Sequence, residues 1–395
     1  MKNKNMKIAC IGNMNNNMFC LVRYLRDKGY DAYLFLVDEF DHFLPGADSY
    51  DDSYKMFLHQ LDWYKIGHWK IDPKKIVEDL KGFNFIICCD RVPAYLDKAG
   101  IELDLFIPHG GDIFHLAFYN FKYFPPKKYE IGAWYQSRRQ NRAIKNASNM
   151  MYDITNDVAE GYVKKIGIKG KRFFTSPPFI YYPQYYSEKF KNGDAYEAAQ
   201  AFKKNHDFIL MHQCRHVWKS DNHSLHYKAN DVIINGYSEF LKDNPNCNSV
   251  LVMFDYGIDR FESKKLVEEL GIENNVVWLE LMSRKDLMRW VDICDIGIGE
   301  LGRSWLSYGS VYELLALKKP FIGRRDDKLY TSFYNELYPM KSVSDSHELK
   351  IILNDYLLNK DKYKKMGEDG YDWFKKHAIE IPLESIVELI ENKNI

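Results

Sequence analysis

Gly309 and Ser310 stand directly ahead of VYELLALK, an apolar run whose spacing predicts a helix over 311–318. The first N–H groups of a helix have no partner inside it, and the dipole is positive at that end. Such a start is a place for anions, phosphate above all. Glu313 reads as lying on the first turn of this helix, and Glu300 at the end of DIGIGE faces the same crevice. A carboxylate only accepts hydrogen bonds, which suits the hydroxyls of a ribose. An acid there also steadies the helix by itself, by a few tenths of about 1 kcal/mol. Phosphate and diol together describe a nucleotide, and the two acids leave room for a sugar.

Cations come from the loop 212–230, HQCRHVWKSDNHSLHYKAN, where Arg215, Lys219 and Lys228 can converge on phosphates. The same loop carries His212, His216, His223 and His226, at spacings that a helix could use for zinc, but no cysteine or carboxylate cluster completes a site. No metal is expected; the plain alternative for the loop is a solvated, charged segment. His109-Gly110-Gly111-Asp112 follows an apolar run. Its glycines let backbone approach a ligand, the histidine can orient a substrate, and Asp112 can hold a hydroxyl or cap the next segment. Gly12-Asn13-Met14-Asn15-Asn16-Asn17 joins a strand to a helix start. It lacks the GxGxxG spacing of a dinucleotide site, and Asp38 and Glu39 are the nearest acids on the next strand. It reads either as a loop for polar oxygens, through Asn15 and Asn16, or as an Asn-rich turn and cap.

The elements that must position these loops alternate. KIACIG, DAYLFLVD, FNFIICCD and LDLFIPHGGD read as buried strands, with FCLVRYLRDKGY a helix stopped by Gly29. FFTSPPFIYYP reads as the end of a domain, after which strand and helix alternate again from DFILMHQCR to PFIG. The fold class expected is α/β, two Rossmann-like doubly wound domains, over 1–180 and 181–370, with a helical tail over 371–395 that crosses back.

Composition bounds the partners. The 395 residues suffice for two domains, and Lys+Arg and Asp+Glu balance at 55 each, unlike the basic excess of a general nucleic-acid binder. Seven cysteines without a CxxC spacing read as reduced core residues of a cytosolic chain. MKNKNMKIAC is too polar for a signal peptide, and no run approaches the ~20 apolar residues of a membrane span, so a cytoplasmic protein is expected. Residues 118–147 hold seven Lys/Arg, interleaved with aromatics, against the single acid Glu130. Such a segment suits the inner face of a membrane or an anionic, lipid-linked acceptor. RNA could use the same surface, against the balanced total charge, and the bland reading is a solvated loop and helix whose aromatics belong to the core.

The stretch 207–323 resembles the nucleotide-sugar domain of GT-B glycosyltransferases, retaining family 4 in particular. The likeness runs through MHQCR…KANDVIINGYSEFLKDNP, the strands and helices from SVLVMFDYG to DIGIGE, and VYELLALKKPFIG. The first half is more loosely similar, through GNMNNNM and HGGD. The resemblance implies two domains facing across a cleft. It implies that Arg215 and Lys228 hold the donor phosphates, with Lys219 a substitute, and that Glu313 binds the ribose and backbone near Val277 and Met282 the base. Gly309, Ser310 and Glu300 would complete the donor side. His109 would lie at the reacting centre, Gly12 would shape the loop beside it, and Asn15, Asn16 and Asp112 would serve the acceptor. Eight residues ahead of Glu313, where the family carries a first glutamate, stands Trp305; Glu300 is the substitute, and Tyr308-Gly309-Ser310 is closer to other GT-B members.

The reaction implied is hexosyl transfer from a nucleoside-diphosphate sugar to a glycan, glycolipid or lipid-linked acceptor. It would proceed with retention, with no cofactor or metal, through an oxocarbenium-like centre. Asp51-Asp52 lies in a loop and not where a metal-dependent transferase needs its DxD. Two alternatives stay open: a nucleotide-sugar 2-epimerase, which would need several carboxylates around the sugar, and a non-catalytic nucleotide-sugar-binding protein.

Overall fold

The computed structural model describes residues 6–37, 43–152, 157–175, 177–220, 226–304 and 306–393. They form two compact units, Met1–Tyr181 with His377–Ile395, and Tyr182–Lys376.

The first unit holds a parallel sheet of seven strands: β1 (Lys7–Ile11), β2 (Asp31–Leu36), β3 (Leu58–Gln60), β4 (Phe85–Cys88), β5 (Leu105–Phe106), β6 (Asn149–Met151) and β7 (Lys171–Phe173). Their order across the sheet is β3-β2-β1-β4-β5-β6-β7. Central strands are covered on both faces, which is why KIACI and FIIC are nearly unbroken apolar runs. β5 is shorter than LDLFIPHGGD promised. Pro108 cannot donate to a ladder, and Gly110 turns the chain at φ 98° into the short helix Gly111–Phe114. The last helix, Ile381–Asn392, packs in this unit, where Glu391 accepts from the Tyr30 hydroxyl at 2.5 Å and Lys393 pairs with Asp104 at 2.6 Å.

The second unit holds a parallel sheet of six: β8 (Phe208–His212), β9 (Ser249–Phe254), β10 (Val276–Leu279), β11 (Ile296–Ile298), β12 (Phe321–Gly323) and β13 (Lys341–Ser342), in the order β10-β9-β8-β11-β12-β13. β8 and β9 are buried along their whole length. Helices Asn230–Asp243 and Ser346–Leu358 cover one face, with Ile233, Tyr237, Leu349 and Leu353 in one core with Phe208 and Leu251. Helix Gly309–Ala316 packs close to β11: a Cβ on Gly297 would stand 2.1 Å from Leu314, so only glycine admits the helix there. No described helix is long and apolar enough to cross a membrane.

Candidate functional site

In each sheet the strand order reverses at one point, and the carboxyl ends of the strands open a crevice there. In the second unit that point lies between β8 and β11. The chain beyond β8 supplies Gln213, Cys214 and Arg215, and the chain beyond β11 supplies Glu300. Lys228 Nζ lies 2.5 Å from Glu300 Oε1, with both side chains about nine-tenths buried. The Glu300 backbone N–H donates to the Tyr308 hydroxyl at 3.1 Å.

Helix Gly309–Ala316 starts at the same crevice. Its N-cap, Tyr308, makes no side-chain cap bond, and the space where a Gly309 Cβ would stand is open. Because the helix begins at Gly309, Glu313 is its fifth residue and not on its first turn, which corrects the sequence expectation and weakens the dipole's hold on it. Its carboxylate is held by side chains instead. Arg284 Nε lies 3.3 Å from Glu313 Oε1, and Gln213 Nε2 donates to Oε2 at 3.4 Å and to the Ser310 carbonyl at 3.3 Å. Arg284 opens the helix Arg284–Ile293, whose N-cap Ser283 accepts from the Asp286 N–H at 3.4 Å. Val277 on β10 and Met282 just ahead of Ser283 are half-buried, and Arg284 links this segment to Glu313. Cys214 Sγ is 3.4 Å from Ser310 Oγ, and burial pushes its thiol up to about 12, too high for a thiolate nucleophile at neutral pH.

The cations of the 212–230 loop part company. Arg215 is exposed, with one guanidinium nitrogen 3.0 Å from His226 Nδ1. Lys219 has a different partner from Lys228: its ammonium pairs with Glu262 at 2.6 Å, and its backbone joins Trp218 and Ser220 in donating to Asp259. His212 is fixed between the Ile298 carbonyl and the Asn230 amide, each at 2.8 Å, and His216 lies 2.8 Å from Ser263 Oγ. Burial lowers these rings to about 4 and about 3, so both are neutral structural groups. Asp38, Glu39, His223 and Trp305 lie outside the described residues. Among the described residues no group of three His, Cys, Asp or Glu could hold a metal.

In the first unit the reversal falls between β1 and β4. Gly12 follows β1 at φ 88°, and a Cβ on it would come 2.8 Å from Cys89 Sγ, so this turn needs glycine on both counts. The asparagines divide. Asn13 accepts from the Phe19 N–H at 2.9 Å and donates to Asn16 Oδ1 at 2.9 Å, and both are buried. Asn16, expected at the acceptor, is thus inside the turn, whereas Asn15 is exposed at φ 52°. Asn17 Nδ2 lies 2.9 Å from His109 Nε2. The His109 N–H donates to Asp112 Oδ1 at 2.9 Å, and the Asp90 N–H donates to Asp112 Oδ2 at 3.2 Å. Asp90, just beyond β4, accepts from the Tyr64 hydroxyl at 2.7 Å.

These groups line a cavity of about 320 Å³ with Met14, Asn15, Asp90, His109, Asp112 and His115 on its wall. Loss of solvation lowers His109 to about 4, and burial raises Asp112 to about 7, with Asp90 adding to the rise. At neutral pH the ring is therefore a neutral hydrogen-bonding group, and Asp112 is the group able to give or take a proton. Arg284, Gln213 and Asp90 were not singled out from sequence. Asp90 alone had a local signal, as the acid that ends FNFIICCD.

No family model matches the chain, and no curated protein matches it in sequence. Solved structures do match. A glycosyltransferase from Rickettsia africae aligns over 99% of this chain and 100% of its own at 16% identity, with a TM-score of 0.63. HepE of Anabaena, in complex with UDP, aligns over 98% of this chain and 100% of its own at 12% identity, with a TM-score of 0.62. The fold is GT-B. A putative UDP-N-acetylglucosamine 2-epimerase from Listeria monocytogenes shares it, over 98% of this chain and 96% of its own, at 10% identity and a TM-score of 0.58.

Proposed function

We propose that the chain is a glycosyltransferase that moves a hexosyl group from a nucleoside-diphosphate sugar to a glycan, glycolipid or lipid-linked acceptor, with retention and without a metal ion. The observation that carries this reading is the crevice between β8 and β11, where a helix start without a side-chain cap meets Gln213 and Cys214, and where Glu300 is held by Lys228 and Glu313 by Arg284. Transfer breaks the bond from the anomeric carbon to a phosphate oxygen, and the departing diphosphate gains negative charge. Fixed cations and aimed N–H groups stabilise that charge, and one such donor is typically worth ~10²-fold in rate. Glu313, oriented by Gln213 and Arg284, is suited to a ribose hydroxyl. The crystallised complexes of HepE with UDP and with UDP-glucose show that this fold can hold such a donor. The likeness of 207–323 to retaining family 4 is what supports retention.

The test is a thermal-shift screen of nucleoside diphosphates and their sugars on the whole chain, with Arg215→Ala and Glu313→Ala beside it. One nucleotide class is expected to stabilise the protein, and less so in both variants. Equal shifts in all three proteins would remove these residues from the site. A transferase should then release nucleoside diphosphate slowly from its donor even without acceptor; an inert binding protein should release none.

A 2-epimerase is the second reading. It is favoured by the likeness to the Listeria protein and by the paired Asp90 and Asp112, carboxylates of the kind that proton movement at a sugar carbon requires. It would yield a new nucleotide sugar without accumulating diphosphate.

A further inference from the structure

The first unit has a second, larger cavity of about 1250 Å³ that the donor reading leaves unused. One wall is the helix Lys128–Asn146, which exposes Ile131, Trp134, Arg138, Arg142 and Lys145 at steps of three and four residues, along one face. The other wall brings Phe118, Tyr162 and Lys165, with Lys165 Nζ 4.5 Å over the Phe118 ring. Among the described residues no acid lines the cavity. Asp97 takes up Arg139 and Arg142, at 2.9 and 2.6 Å, and among the described residues no carboxylate pairs with Lys122, Arg138, Lys145 or Lys165.

The one acid of 118–147 is withdrawn from this surface. Glu130 is fully buried and accepts from the backbone N–H of Lys122 at 2.7 Å and of Lys127 at 3.0 Å. It thereby ties the 119–127 loop to the helix. That loop holds its rings outward: Phe124 is 100% exposed, Tyr123 46% and Phe121 44%. Exposed rings beside unpaired cations are what a lipid interface rewards, since rings settle at headgroup depth and cations at the phosphates. A soluble polyanion would engage the cations and leave the rings in water.

We propose that this face docks the protein on an anionic lipid bilayer, with headgroup phosphates in the cavity and Phe121, Tyr123 and Phe124 in the interface. The inference stands independently of the donor site.

The test is co-sedimentation of the whole chain with vesicles of phosphatidylcholine, alone or mixed with phosphatidylglycerol, at low and high salt. Binding is expected only to the mixed vesicles, and is expected to weaken with salt. Arg138→Glu with Lys145→Glu, and separately Phe121→Ser with Phe124→Ser, should each lower it by about tenfold. These positions are exposed, so thermal melts and nucleotide-induced shifts should match wild type, which separates a failure here from a failure of the donor reading. Equal binding to neutral vesicles, no binding at all, or wild-type binding by either variant would overturn the proposal. So would retention of a poly(U) RNA that depends on the cations alone.

Discussion

Lys228 and Glu300 form a buried ion pair, 2.5 Å apart, between the end of one loop and the tip of β11. The pair lies in the crevice proposed to grip a diphosphate, so Lys228 has a structural duty whatever its part in binding. Removing one partner of such a pair leaves a charge with neither water nor counter-ion, at a cost of about 3–5 kcal/mol. Lys228→Met should therefore lose stability on that scale in urea unfolding, and adding Glu300→Gln should restore a good part of it. A Lys228→Met protein as stable as wild type would mean that the pair does not form.

Arg284 acts on Glu313 from the side. Its Nε lies 3.3 Å from the carboxylate, and a charged hydrogen bond of this kind is worth about 1.5–3 kcal/mol. Arg284→Ala should leave Glu313 held by Gln213 alone and weaken nucleotide binding by about tenfold or more by calorimetry. Arg284→Lys should not restore it, because a lysine cannot reproduce the planar geometry. Unchanged affinity in Arg284→Ala would show that Glu313 needs no such orientation.

What sequence could show here follows from which forces act locally. Parallel strands covered on both faces must be apolar throughout, so FIIC, FILMH and SVLVMF announce themselves. Helix Asp194–Lys203 fully buries only Ala199, with Tyr196 and Phe202 half-buried beside it, a stripe too short to stand out in the sequence. The Glu313 helix starts two residues before the sequence pattern places it, because glycine and serine at 309 and 310 are weak helix formers in isolation. Lys228 with Glu300 and Arg284 with Glu313 are meetings across many residues, which no local spacing encodes. Asn16 looked like its neighbour Asn15; only the packed turn decides that one is buried and the other exposed.

His109 and Asp112 should leave opposite marks on acid stability. Folding lowers His109 from an ordinary 6.5 to about 4, so its contribution is complete above 6.5 and is lost as pH falls through 4. Folding raises Asp112 from 3.8 to about 7, so its contribution is complete below 3.8 and is lost as pH rises through 7. Relative to wild type, His109→Gln should gain stability as pH falls from 6.5 to 4, and Asp112→Asn should gain as pH rises from 4 to 7. Each gain should be on the order of 3 kcal/mol in urea titrations at fixed pH. Parallel curves for wild type and a variant would mean that the residue in question does not titrate as placed.

Gly309 separates ligand space from fold. A Cβ there would meet nothing within 4 Å, and the residue sits at the first position of its helix, so no packing is lost by adding side chain. Gly309→Ala should leave the melting temperature near that of wild type, or raise it slightly through helix propensity. A larger group, as in Gly309→Val, would project into the space ahead of the helix N–H groups where the diphosphate is expected. The melting temperature should again hold, while the nucleotide-induced shift should shrink or vanish. If Gly309→Val binds nucleotide as wild type does, the phosphates are not at this helix, and the crevice between β8 and β11 must be read afresh.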